Sequence, residues 1–215
     1  MILIGMFDSP FVRRVAISAS LLGIAFEHRN WSVRKDFARI AEYNPLVRVP
    51  TLVLDDGEVL IDSGAILDFF DEQVGPQRAL LPPSGAARRR ALQWIAMAAG
   101  AGEKGVHLMY ERLFKPEDKR HEPWMERCRV QIHGGLAELE RACAAVGDAP
   151  WLLGEALTQA DITLACHGTY LHDVLQIDLQ PYPALHARID RCEALEVFQR
   201  YHLVPNATPP AQSNA

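Results

Sequence analysis

Phe7-Asp8-Ser9-Pro10-Phe11-Val12-Arg13-Arg14 lies at the junction of two hydrophobic periods. Ahead of it, Ile2-Leu3-Ile4 is a short apolar run of the kind that forms a buried strand. Behind it, Val12, Val15, Ala16, Ala19 and Leu22 recur at the spacing of one helix face. Ser9 stands where an N-cap belongs, Pro10 where the first helical residue belongs, and Gly23 just past the end. The hydroxyl at that junction has two readings. It caps the helix, or it sits with free backbone N–H groups where an anion can develop. The octapeptide alone leaves both open.

Working outward, residues 25–30 read as a second strand, reached through the helix and so parallel to the first. Residues 31–35 form a loop and 36–43 a weak helix, stopped by Asn44-Pro45. Thr51-Leu52-Val53-Leu54, the turn Asp55-Asp56-Gly57 and Val59-Leu60-Ile61 then read as a β-hairpin, because Asp-Gly is a strong turn signal. Ile66, Leu67 and Phe70 mark a third helix that opens near Asp62-Ser63. The order β-α-β-α-β-β-α is that of a thioredoxin-like layer. Two of its junctions carry chemistry. Val49-Pro50 precedes a strand, where a proline cannot donate to the ladder; in the cis form, which few X–Pro bonds adopt, it would leave flanking backbone groups free to pair with an extended ligand. Ser63 is a helix cap, or else Asp62 and Ser63 grip the ammonium and carboxylate of an amino-acid-like ligand end.

Beyond residue 76 the texture changes. Residues 77–85, which include Leu80-Leu81-Pro82-Pro83-Ser84-Gly85, are a linker by composition. An all-helical domain over 86–204 follows a thioredoxin-like domain over 1–76, and 205–215 read as a disordered tail. In the second domain, 86–114 is alanine-rich and loosened by Gly100, Gly102 and Gly105, and 123–146 is a core-facing helix. Residues 183–201 supply one or two last helices. Thr158-Gln159-Ala160-Asp161 is a capping signature, flanked by Leu157 and Ile162 at staple positions. It serves folding rather than chemistry.

The 215 residues carry a net charge of −5, with 49% hydrophobic and 23% charged residues. That balance argues against nucleic acid or an anionic membrane as a partner, and Arg88-Arg89-Arg90 is too short to reverse it. No apolar run is long enough to span a membrane, and Met1 leads straight into strand-like sequence, so the expected location is the cytoplasm. Cys128, Cys143, Cys166 and Cys192 show no CxxC pair and no metal-ligand spacing. No metal is expected.

Taken together, Ser9-Pro10-Phe11-Val12-Arg13-Arg14-Val15, Asn44-Pro45 with Arg48-Val49-Pro50-Thr51-Leu52, and Asp62-Ser63-Gly64-Ala65-Ile66 resemble the N-terminal domain of the glutathione S-transferase family. The Thr158–Asp161 signature resembles that family's second domain, so the likeness covers roughly residues 1 to 200. It implies a cytoplasmic homodimeric detoxification enzyme with glutathione as cosubstrate and no metal. Val49 before Pro50 would pair with the cysteinyl part, Asp62 and Ser63 would hold the γ-glutamyl end, and Ser9 would face the thiol. Arg34 and Lys35 would reach the glycine carboxylate. Phe11, His107 and Tyr110 would line the pocket for an electrophilic, largely apolar second substrate. Serine rather than cysteine at position 9 disfavours disulfide reduction. The alternatives are a glutathione-dependent isomerase or dehalogenase, and a non-catalytic binding or regulatory protein of the same fold.

Overall fold

A computed structural model describes residues 1–202; the predicted tail lies outside them. The chain opens with β1, Ile2–Ile4, and α1, Pro10–Leu22, whose C-terminus is closed by Gly23 at φ 72°. Next come β2, Glu27–Arg29, and α2, Phe37–Ala41, both shorter than expected. The hairpin β3, Thr51–Val53, and β4, Val59–Ile61, leads into α3, Ser63–Val74. The sheet order is β2-β1-β3-β4, with β1 parallel to β2 and antiparallel to β3. A mixed sheet with helices is thus followed by a helical half, as the pattern implied. That half contains α4, Gly85–Phe114, α5, Glu122–Val146, α6, Gln159–Thr169, α7, Pro183–Glu193, and α8, Glu196–Arg200. No helix among the described residues is long and apolar enough to cross a membrane.

α1 is buried nearly all round, and its two faces meet different partners. Val12, Val15, Ala16 and Ala19 pack with Leu3, Leu52, Ile66 and Phe70 in the sheet core. Ile17 turns the other way, into a cluster with Ile162, Ala165, Cys166, Cys192 and Phe198 of the helical half. A helix enclosed on all sides must neutralise any polar side chain it carries. Arg13 does so by a two-pronged ion pair with Glu193 of α7, both N···O distances being 2.6 Å. Its guanidinium also donates to the carbonyls of Phe198 and Tyr201. Ser18 donates to Gln159 of α6 at 2.8 Å.

One expectation about the helices is corrected. The glycines do not loosen 86–114, which is one unbroken 30-residue helix. Gly102 and Gly105 are instead contact points: a Cβ at Gly102 would fall 2.3 Å from His167, and one at Gly105 would fall 2.7 Å from Leu175. Their small size lets α6 and the π-helical turn after it, Tyr170–Val174, approach α4. At the start of α6, Asp161 is buried and accepts from the Thr158 N–H and hydroxyl and from the Leu152 N–H. The shorter acid therefore closes the capping signature and also ties down the preceding loop.

Candidate active site

The loop between α2 and β3 is shaped from behind by Asn44, which is almost fully buried. Its amide donates to the Arg48 carbonyl at 2.9 Å and to Thr51 Oγ1 at 3.1 Å, while its oxygen accepts from the Leu46 N–H. The Val49–Pro50 bond that follows is cis. Neither the N–H nor the C=O of Val49 is used in a hydrogen bond among the described residues. Val49 and Pro50 line a cavity of about 150 Å³ together with Phe11, Asn44, Leu46, Arg48, Ile61, Asp62 and Ser63.

At the far wall, the cap of α3 is Asp62 rather than Ser63. Asp62 holds φ 69°, and its Oδ1 accepts from the Gly64 N–H at 2.7 Å. Ser63 is the first helical residue, and its hydroxyl is taken up by Arg14 instead, whose Nη2 donates at 2.6 Å and Nε at 3.2 Å. Burial, partly offset by the Asp62 charge nearby, lowers the Arg14 guanidinium from its ordinary range to about 10. Arg14 did not emerge as a site residue from the sequence. The signal was there: an arginine on a helix with apolar residues all round requires a buried acceptor.

Ser9 occupies the N-cap position, but its hydroxyl makes no capping bond, so the simple capping reading is corrected. The first i→i−4 bond of α1 runs from the Arg13 N–H to the Ser9 carbonyl at 2.9 Å, which leaves the Phe11 and Val12 N–H groups ahead of it without helical partners. Ser9 is not part of the cavity lining, which begins two residues later at Phe11.

Of the other sequence-derived residues, Phe11, Val49, Pro50, Asp62 and Ser63 come together around the cavity, and Arg34 and Lys35 do not. Both are exposed on the loop before α2, and the basic residue in the lining is Arg48. Arg48 Nη2 meets Glu103 of α4 at 3.3 Å. His107 and Tyr110 follow Glu103 at i+4 and i+7, on the same side of α4. His107 sets its ring edge-on to Trp124 and Tyr110 edge-on to Phe114, with centroids 5.6 Å and 5.1 Å apart. Partial burial pushes the Tyr110 phenol up, and the Arg48 charge opposes this.

The inner side of Phe11 meets the ring of His167 edge-on at 4.7 Å. His167 is 1% exposed, its Nδ1 faces the Thr163 carbonyl at 2.8 Å, and its Nε2 has no partner among the described residues. A carbonyl only accepts, so Nδ1 carries a hydrogen. Burial, and secondarily the Arg14 charge, depress its pKa to about 3. The unfolded chain, with an ordinary imidazole near ~6.5, then takes up this proton first. Stability tied to His167 is complete above that value and is lost as pH falls from there toward about 3. Urea midpoints measured from neutral pH down to mildly acidic pH should decline, and His167→Gln should flatten that decline. An unchanged slope in the variant would show that other groups govern it.

Residues 3–78 match the glutathione S-transferase N-terminal domain family, and residues 122–191 match the glutathione S-transferase C-terminal domain family. The chain belongs to the glutathione S-transferase family. Among curated relatives it is 31% identical over 170 residues to the uncharacterized GST-like protein YibF of Escherichia coli, a match spanning 79% of this chain and 81% of that one. It is 28% identical over 208 residues to maleylacetoacetate isomerase of Pseudomonas aeruginosa, covering 92% and 93% of the two chains. A solved glutathione S-transferase from Methylobacterium radiotolerans, in complex with glutathione sulfonate, superposes with a TM-score of 0.86 at 29% identity. That alignment covers 100% of this chain and 99% of the other. The transferase architecture therefore runs through both halves of the molecule.

Proposed function

We propose that this chain binds glutathione in the cavity between the α2–β3 loop and α3, and adds its thiolate to an electrophilic, largely apolar small molecule. One observation carries the reading: Val49, whose backbone groups are unused, lines a single cavity together with Asp62, Ser63 and Phe11 from the first turn of α1. A tripeptide with an amino-acid head matches that set. Val49 pairs with the cysteinyl backbone, Asp62 takes the ammonium and Ser63 the carboxylate of the γ-glutamyl end. Arg48, rather than Arg34 or Lys35, is the basic group placed for the glycine carboxylate.

The thiol then lies toward Ser9, whose hydroxyl is free to donate because it is not capping α1. An unperturbed thiol has a pKa near ~8.5, so only a few per cent is ionised at neutral pH. Lowering it by ~2 units needs ~2.7 kcal/mol of selective stabilisation of the thiolate. A helix N-terminus supplies up to ~2 kcal/mol and a hydrogen bond to a charged group ~1.5–3 kcal/mol. The two together are sufficient without a general base. The thiolate attacks an electrophilic carbon, and Ser9 is a hydrogen-bond donor, not a nucleophile. The electrophile enters from the side of Phe11, Tyr110 and His107. We further propose the domain division 1–76 and 86–204 with 77–85 as linker, a homodimer, and a cytoplasmic detoxification role.

Calorimetric titration with glutathione tests the binding step, and turnover of a chloronitrobenzene tests the chemistry. Saturable binding with conjugation is expected. Absence of binding overturns the reading, and binding without turnover of any electrophile leaves a non-catalytic binding protein. The likeness to maleylacetoacetate isomerase over nearly the full chain favours a second reading, in which the same thiolate adds and is expelled during cis–trans isomerisation. Asp8-Ser9-Pro10-Phe11 lacks the serine-rich helix start usual in that branch. Isomerisation of maleylacetoacetate without net consumption of glutathione would establish the isomerase.

A further inference from the structure

Arg14 is 4% exposed and Ser63 2% exposed, so their contact is dry. Two guanidinium N–H groups, Nη2 and Nε, converge on the one Ser63 oxygen at 2.6 Å and 3.2 Å. A serine hydroxyl has two acceptor lone pairs and one donor hydrogen. With both acceptor sites occupied by Arg14, the remaining function is donation, and Ser63 is among the residues that line the cavity. The third guanidinium nitrogen, Nη1, donates to Thr163 Oγ1 at 3.3 Å, which fixes the plane of the fork against α6.

The charge balance points the same way. The preceding residue, Arg13, is equally buried and is matched by both oxygens of Glu193. Arg14 has no carboxylate within ion-pair distance among the described residues, Asp62 acting on it only from farther away; its three hydrogen bonds all go to neutral hydroxyls, and its guanidinium lies 5.7 Å from the centre of the Phe11 ring. A buried cation without an anion is costly, and an anion arriving next to it relieves that cost. Asp62 cannot bind an anion itself, since a carboxylate only accepts, and its Oδ1 is already bonded to the Gly64 N–H.

We propose that Arg14 is a positioning residue for carboxylate recognition: it commits the Ser63 hydroxyl to donate into the cavity, and its unmatched charge is completed by the ligand's α-carboxylate. This rests on the glutathione reading above and extends it to the side chain behind the site. Arg14 touches Ser63, not the ligand. Together with Asp62, the arrangement selects an α-amino-acid end, ammonium and carboxylate side by side, over a simple amine.

The test compares two ligands by calorimetry: glutathione, and 4-aminobutanoyl-cysteinylglycine, which lacks only the α-carboxylate of the γ-glutamyl residue. Wild type should prefer glutathione. In Arg14→Gln, glutathione affinity should fall about 10- to 100-fold, while affinity for the carboxylate-free analogue stays the same, and adding Ser63→Ala should change little more. Arg14→Lys, which keeps the charge but not the fork, should restore part of the preference and also carries the test if the glutamine variant does not fold. Equal weakening of both ligands would make Arg14 merely structural, and no weakening would remove it from recognition. Wild type binding both ligands alike would overturn the carboxylate role while sparing the glutathione reading. Wild type binding neither would remove both.

Discussion

Ser9→Ala should lower kcat/KM for glutathione conjugation by about 10- to 100-fold, with the bound thiol's pKa rising by about 1 to 2 units. The hydroxyl is unengaged at the N-cap position, so its removal costs α1 no capping bond. The loss should therefore appear in activity and thiolate titration rather than in thermal stability. The Phe11 and Val12 N–H groups remain, and with them the helix contribution, which is why the activity does not vanish. Ultraviolet titration of the bound thiolate separates two roles. An unchanged thiol pKa with a weaker glutathione Kd would mean that Ser9 holds the thiol without activating it. Full activity in the variant would take Ser9 out of the mechanism.

Glu193→Ala should cost about 3–5 kcal/mol in urea unfolding, because it leaves the buried Arg13 guanidinium without its anion. That is a large share of the roughly 5–15 kcal/mol typical of a folded domain. Glu193 also accepts from Thr169 Oγ1 at 2.6 Å, so the same substitution frees a hydroxyl at the end of α6. Glu193→Gln, which keeps one acceptor, should lose less. Arg13 lies one turn after Ser9 on α1, and the alanine variant should also lose conjugation activity at a lower temperature than wild type. A cost below about 1 kcal/mol would show that the carbonyls of Phe198 and Tyr201 suffice to hold Arg13.

The fold was legible where periodicity and punctuation agreed. The apolar positions of α1, the Asp-Gly hairpin and the Thr158–Asp161 signature each specify a local conformation, and the observed order of elements follows from them. The glycines of α4 misled because helix propensity is a local property, whereas Gly102 and Gly105 answer to side chains on α6 and the turn after it, His167 and Leu175. In the cavity, Val49, Pro50, Asp62 and Ser63 stand next to helix and strand ends that the pattern could locate. Arg48 and Arg14 could not be found in this way. Arg48 counts through its position on a loop shaped by Asn44, and Arg14 through a residue 49 positions away. Arg34 and Lys35 had the right charge, but the loop that carries them is exposed and outside the lining.

The clamp between α1 and the last helices also bears on synthesis. Arg13 and Glu193 are 180 positions apart, and Tyr201, which meets Phe7 edge-on and bonds to Ser20, is 181 beyond Ser20. On the ribosome the sheet and α1 emerge well before α7 and α8, and Glu193 and Tyr201 are translated about 180 residues after the side chains they hold. Until they arrive, Arg13 has no countercharge and the cluster around Ile17 lacks Cys192 and Phe198. The earlier half of the molecule is thus completed by the later one, and a chain truncated before α7 would carry Phe11 of the cavity on a helix whose Arg13 has no anion.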